Sequence, residues 1–193
     1  APQGGQDREI AASAFRRRED PYGFKLRSDV ALKILVVNCG SSSLKYNLFD
    51  TADPAFDFRG VVERIASGPS MKHSCRGPQG NRTAELPQGT HREAFQAMVA
   101  ALTDKETGVI ASAADIGAVG HRVVHGGERF AAAVLITDEV TAEIEKVASL
   151  APLHNPVNLI GIREAQACFP QAPHVAVFDT AFHHTLPPYA YLY

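Results

Sequence analysis

Four short segments carry the residue types that could do chemistry. The first is Asn38-Cys39-Gly40-Ser41-Ser42-Ser43-Leu44-Lys45. Gly40 lets the backbone approach a ligand, three hydroxyls and the neighbouring amides can donate to phosphate oxygens, and Lys45 adds a positive charge. That is the composition of a phosphate cradle. It is not the Walker pattern, because the second glycine and the Lys-Ser/Thr pair are missing and no helix is expected to follow. A Ser-rich hairpin turn beside a lysine is, taken alone, more often a plain solvated turn.

The second segment, Gly120-His121-Arg122-Val123-Val124-His125-Gly126-Gly127-Glu128, ends a strand-like run in a Gly-Gly turn. Side chains alternate along a strand, so Arg122 and Val124 should point the same way. A guanidinium beside an aliphatic group suits a carboxylate with a short alkyl tail, the arginine forking onto the oxygens and the valine packing on the tail. An arginine paired with an acid such as Glu128 fits the same letters. The third segment, Leu153-His154-Asn155-Pro156, sets a histidine just ahead of a helix start, where unpaired N–H groups and the helix dipole favour anions. The fourth puts Asp179 at the carboxyl end of the run HVAVF, the edge where open α/β sheets place their ligands; there it could orient Mg²⁺ or water. The adjacent His183 and His184 suit packing or a turn better than one shared metal ion.

The elements that must position these groups are legible in outline. Residues 33–38 and 44–50 read as two strands joined by the serine turn, 58–65 as a third and 71–76 as a fourth, with 77–81 a loop by its Gly and Pro content. Phe95, Met98, Val99 and Leu102 recur at the spacing of a helical face, as do Val140, Ile144 and Val147 behind a Thr137 N-cap. Asn155-Pro156 predicts an N-cap followed by proline at the first helical position, opening a helix to about Cys168. Residues 116–124 and 174–178 are strand-like. Strands in succession, then alternating with helices, describe an α/β domain with a mixed sheet.

Composition narrows the partners. The 193 residues are 45% hydrophobic, enough for a real core, and carry a net charge of −2 with acids and bases interspersed. No nucleic-acid or membrane partner is indicated, so any anion site must be local. Cys39, Cys75 and Cys168 are odd in number, far apart and without CxxC spacing, which argues against a disulfide framework or a structural zinc and fits a reducing cytoplasm. No apolar run is long enough to span a bilayer. Residues 1–32 are polar, with Arg16, Arg17 and Arg18 among Asp7, Glu9, Glu19 and Asp20; they are expected to be a disordered extension rather than a targeting segment.

Taken together the segments resemble the acetate kinase family. Four blocks, VNCGSSSLKY, GHRVVHGGERF, APLHNPVNLIGI and VFDTAFHHTLP, stand in the family's order from Lys33 to the end of the chain. The resemblance implies the ribonuclease H-like α/β fold shared with sugar kinases, Hsp70 and actin, with residues 33–193 as the N-terminal of two domains and the C-terminal nucleotide domain lying beyond the sequence. It implies transfer of phosphoryl from ATP to acetate, with Mg²⁺, in a cytoplasmic enzyme that is a homodimer at full length. By position, Asn38 matches the metal-associated asparagine, and Ser41, Ser43 and Lys45 match the ATP and phosphate residues. Arg122 matches the carboxylate-binding arginine, with Val124 and Leu153 lining the methyl pocket, and His154 and Asp179 match the catalytic pair. His184 departs from the family's usual glutamine. The chain is expected to be incompetent as a kinase alone. A propionate or butyrate kinase, or a non-catalytic actin-like module, shares the same scaffold. All of this requires the serine turn, Arg122 and Asp179 to converge on one cleft.

Overall fold

The computed structural model describes residues 31–181, so most of the expected N-terminal extension and the His183-His184 pair lie outside the described residues. Five strands come first: β1 (Lys33–Cys39), β2 (Ser43–Asp50), β3 (Phe58–Glu63), β4 (Ser70–Gly77) and β5 (Gly80–Pro87). Then follow α1 (His91–Leu102), β6 (Ile116–Val123), β7 (Val134–Leu135), α2 (Asp138–Lys146), α3 (Asn155–Cys168) and β8 (His174–Phe178), with two short 3-10 turns between them. The strands form one mixed sheet in the order β5-β4-β3-β2-β1-β6-β8-β7. β1, β6 and β8 run parallel at its centre, and the other pairings are antiparallel.

Alternation along the strands sorts the core between two faces. On one face Leu35, Val37, Leu44, Tyr46, Leu48, Val62 and Val119 pack with Phe95, Met98 and Leu102 of α1 and with Ala165 and Phe169 at the end of α3. On the same face Val123, Ala176 and Phe178 pack with Val140 and Ile144 of α2 and Leu159 and Ile162 of α3. All three helices therefore lie on one side. Ile34 and Val36, on the opposite face, form a smaller buried cluster with Leu32, Phe49 and Val177. The continuation of those rows, from Val36 to Asn38 and from Val177 to Asp179, leaves the polar groups at the carboxyl edge of the helix-free face.

Local chemistry explains the helix starts. Thr90 caps α1 in a full capping box with Glu93, whose carboxylate accepts from Thr90 N at 2.7 Å. Thr137 caps α2 as expected, with Asp138 and Glu139 in its first turn and Lys146 in its last, matching the helix dipole. Val147, expected on that helix face, is its C-cap. At α3 the expectation needs correction. The N-cap is His154, not Asn155, and its side chain makes no capping bond. Asn155 is inside the helix and 0% exposed, so its amide is claimed by the core rather than by the helix end. Two strands were not anticipated. Residues 77–81 are a tight turn into β5, whose residues are almost all exposed and so lack the alternation that marks a strand. β7 has only two residues, too few for any pattern.

His121 of β6 and His174 of β8 are buried side by side, their rings stacked at 5.2 Å. His174 Nε2 donates to Phe169 O at 3.1 Å, which leaves its Nδ1 to accept from His121 Nε2 at 2.9 Å. Both rings are thus neutral. Burial, and secondarily His174, pushes His121 down to about 3, and burial lowers His174 as well. A histidine whose folded value is depressed contributes stability that is complete above its unfolded value of about 6.5 and is lost as pH falls from there. Denaturant unfolding at pH 5 should therefore give a stability about 2 kcal/mol below that at pH 7.5 from His121 alone. A stability that is level or rising over that interval would contradict the neutral relay.

Candidate functional site

The parallel centre of the sheet delivers three of the candidate groups to one edge. Arg122, next to last in β6, grips Asp179, the first residue past β8: Nε donates to Oδ1 at 3.0 Å and Nη2 to Oδ2 at 2.7 Å. This is the bidentate fork that fixes the guanidinium plane, and about a third of each side chain is open to solvent. Arg122 Nη1 reaches Asn38 Oδ1 on β1 at 3.5 Å. The sequence offered Glu128 as an acid for Arg122; the carboxylate that takes the role is 57 residues away in the chain.

Lys45 stands opposite Asn38 in the β1–β2 register, so both side chains leave the same face, and Lys45 is exposed. Between them the serine turn is tied down from several directions. Gly40 N donates to Ser43 O at 2.8 Å, Ser42 O accepts from Ile65 N at 3.0 Å, and Gly40 O accepts from His91 Nε2 at 2.8 Å. Three of the turn's carbonyls thus face protein donors, while Ser41 and Ser42 remain exposed. A Cβ on Gly40 would sit 3.3 Å from Ser43 Oγ, so a larger residue would push on a hydroxyl of the turn. Ile65 reaches its position between two residues in the left-handed region, Arg64 at φ 61° and Ala66 at φ 52°. That strain, on the order of 1 kcal/mol or more per residue, lets Ile65 bury its side chain while its N–H holds the turn.

The start of α3 holds the strand ends from the other face. Asn155 Oδ1 accepts from His125 N at 3.1 Å, and its Nδ2 donates to His125 O at 2.9 Å and Ile144 O at 3.3 Å. Asn158 Oδ1 accepts from Val124 N at 3.1 Å and its Nδ2 donates to Cys39 O at 3.0 Å. Thr180 Oγ1 accepts from Gly126 N at 3.1 Å, tying the glycine turn to the residue after Asp179. Val124 lies one residue beyond β6 and is half-buried, whereas Leu153, 77% exposed, and His154 stand in the open loop before α3. The structure thus brings Asn38, Arg122 and Asp179 into direct contact, with the serine turn and Lys45 on the adjoining edge, and leaves Leu153 and His154 in the exposed loop before α3. Cys39 is no nucleophile. Burial, then Glu164, pushes its thiol up to about 12.

The sequence reading passed over Asn158, His91 and Thr180, and it misassigned Asn155. A signal existed for the asparagines: 155 and 158 are three apart and share a face with the apolar Leu159 and Ile162, so polar side chains on a buried stripe needed internal partners. No comparable signal marks His91, whose partner is 51 residues away.

Residues 33–193 match the acetokinase family. The acetate kinase of Desulfitobacterium hafniense is 54% identical over 164 residues, covering 84% of this chain and 41% of the relative. That of Clostridium botulinum is 52% identical over 163 residues with the same coverage. Among solved structures, Porphyromonas gingivalis acetate kinase superposes with a TM-score of 0.78 at 41% identity, over 84% of this chain and 41% of its own. A propionate kinase from Francisella tularensis superposes at 0.73 with 38% identity, over 82% and 39%. The chain spans about two-fifths of the length of these relatives.

Two neighbouring positions should respond oppositely to truncation. Asn155→Ala strands three backbone groups in the interior and should cost about 2–4 kcal/mol, while His154→Ala, exposed and without a capping bond, should stay within about 0.5 kcal/mol of the parent. Urea unfolding of both variants measures the difference.

Proposed function

The chain belongs to the acetokinase family, and from that premise we propose that it is the carboxylate-binding half of an ATP-dependent acetate kinase, catalysing ATP + acetate ⇌ ADP + acetyl phosphate when completed by a nucleotide domain. The observation that carries this reading is the meeting of Arg122, Asp179 and Asn38 beside the serine turn. A carboxylate nucleophile is already ionised at neutral pH, with a reference pKa of about 4, so no general base is needed. The work left to the protein is positioning and charge stabilisation.

Arg122 supplies both. Asp179 fixes the guanidinium plane, and the edge turned towards Asn38 is where an acetate or acyl phosphate oxygen would be held. Val124 and Leu153 would meet the methyl group. Ser41, Ser43 and Lys45 would receive phosphate oxygens of ATP, and His154, at the exposed entry to α3, would donate to the phosphoryl group in flight.

The donor set also fits Mg²⁺. Among the described residues no cluster of three or more His, Cys, Asp or Glu side chains is placed to hold a metal, which argues against an all-protein cage. Asn38 Oδ1 and the Asp179 carboxylate are hard oxygen donors at the site, and Mg²⁺ characteristically takes one or two such groups, the remainder of its shell being phosphate and water. Bound there it would neutralise phosphate charge. A cytoplasmic location and small-molecule substrates belong to this reading; no helix among the described residues is long and apolar enough to cross a membrane. Assembly as a homodimer when complete belongs to the same reading.

The structural likeness to a propionate kinase favours one alternative, a longer acyl chain. One or two methylenes change discrimination only modestly, so the comparison must be kinetic. In an enzyme completed by the second half of a relative, acetate should exceed propionate and butyrate in kcat/KM. Arg122→Ala should raise the KM for acetate more than tenfold, and Asp179→Asn should lower kcat on the order of 100-fold. Unchanged turnover in Asp179→Asn would reject its assignment, and a preference for propionate would move the chain to the alternative.

A further inference from the structure

The two strands that carry the site stop pairing before either of them ends. The β1–β6 ladder runs through Val36↔Gly120 and Val37↔His121, yet β1 continues to Cys39 and β6 to Val123. Continuing the register would set Cys39 against Val123, and in a parallel ladder Val124 N would then donate to Cys39 O. Both of those groups are engaged by one side chain instead. Asn158 accepts from Val124 N at 3.1 Å and donates to Cys39 O at 3.0 Å, so its amide stands in the ladder as an inserted peptide group. Asn158 is 6% exposed, and its amide is held at that depth by close packing one turn later. A Cβ on Gly161 would lie 2.5 Å from that of Cys39, so only glycine lets α3 rest directly on the end of β1.

We propose that Asn158 is a positioning residue that splays β1 from β6 and so sets the distance between the serine turn, which begins one residue after Cys39, and Arg122, two residues before Val124. This rests on the reading of the serine turn as the phosphate side of the site and Arg122 as the carboxylate side. The ligand class that senses the distance is an acyl phosphate, which must satisfy both sides at once. Acetate alone or inorganic phosphate alone needs only one. Substituting Asn158 removes the inserted amide, lets Cys39 O and Val124 N approach their ladder bond, and moves the two half-sites relative to each other while leaving each intact.

The test measures affinities of the 193-residue chain for acetyl phosphate, acetate and inorganic phosphate by calorimetry, in the parent, Asn158→Asp and Asn158→Ser. Asp keeps the acceptor for Val124 N and loses the donor to Cys39 O; Ser is too short to reach both. Acetyl phosphate affinity should fall about tenfold or more in both variants, with acetate and phosphate within about threefold of the parent. The Arg122 Nε–H resonance in ¹⁵N spectra should shift without ligand. Equal losses for all three ligands, no loss for any, or variants that do not fold would each overturn the inference and reduce Asn158 to an ordinary structural bond. A parent chain that binds acetyl phosphate no better than phosphate would instead overturn the functional reading, and the inference with it.

Discussion

The parallel alignment of β1, β6 and β8 is the constraint on which the rest of the molecule depends. Parallel strands end at the same edge, so the three residues at or just past those ends, Asn38, Arg122 and Asp179, must meet there. The antiparallel strands on the β2 side add the serine turn and Lys45 to that edge because β2 returns directly from it. The helices all sit on the other face. Polar edge groups and packing groups are thereby separated by the alternation of side chains alone: along β1, residues 35, 37 and 39 serve the core while residue 38 meets Arg122.

Electrostatically, the site is a local solution to a global shortage. A chain with net charge −2 offers no general attraction for an anionic ligand. Arg122 supplies a fixed positive group, and Asp179 keeps it oriented without burying either charge fully. The carbonyls of the serine turn, which would repel phosphate, are occupied by His91, Ile65 and Gly40. Repulsive dipoles are thus turned inward as deliberately as attractive groups are turned outward.

What the sequence disclosed follows from which interactions are local. β1, β2 and β8 were legible because their burial alternates or runs unbroken, and the Thr137 cap because capping is decided within four residues. β5 was hidden because an edge strand exposed on both faces carries no hydrophobic rhythm. The candidate residues stood out by type, since serines and an arginine at strand ends are what an anion site would need. Their partners were not. Arg122 pairs across 57 residues and Asn158 bridges two strands from a third element, and no rule of spacing reaches that far. Asn155 shows the failure most clearly: its propensity favours a helix cap, but burial redirected the amide to His125 and Ile144.

The bond from Asn158 to Cys39 spans 119 residues, and this separation bears on how the chain acquires its shape as it leaves the ribosome. The hairpins β1 to β5 can form as soon as they emerge, for their contacts are close in sequence. The β1–β6 rungs, and the side chain that interrupts them, must wait until β6 and α3 have been made, and such non-local pairings are the slow part of folding. The nascent sheet therefore presents the lateral edge of β1 unpaired until β6 has emerged, and that edge, which lies at the centre of the finished sheet, is meanwhile open to association with other chains.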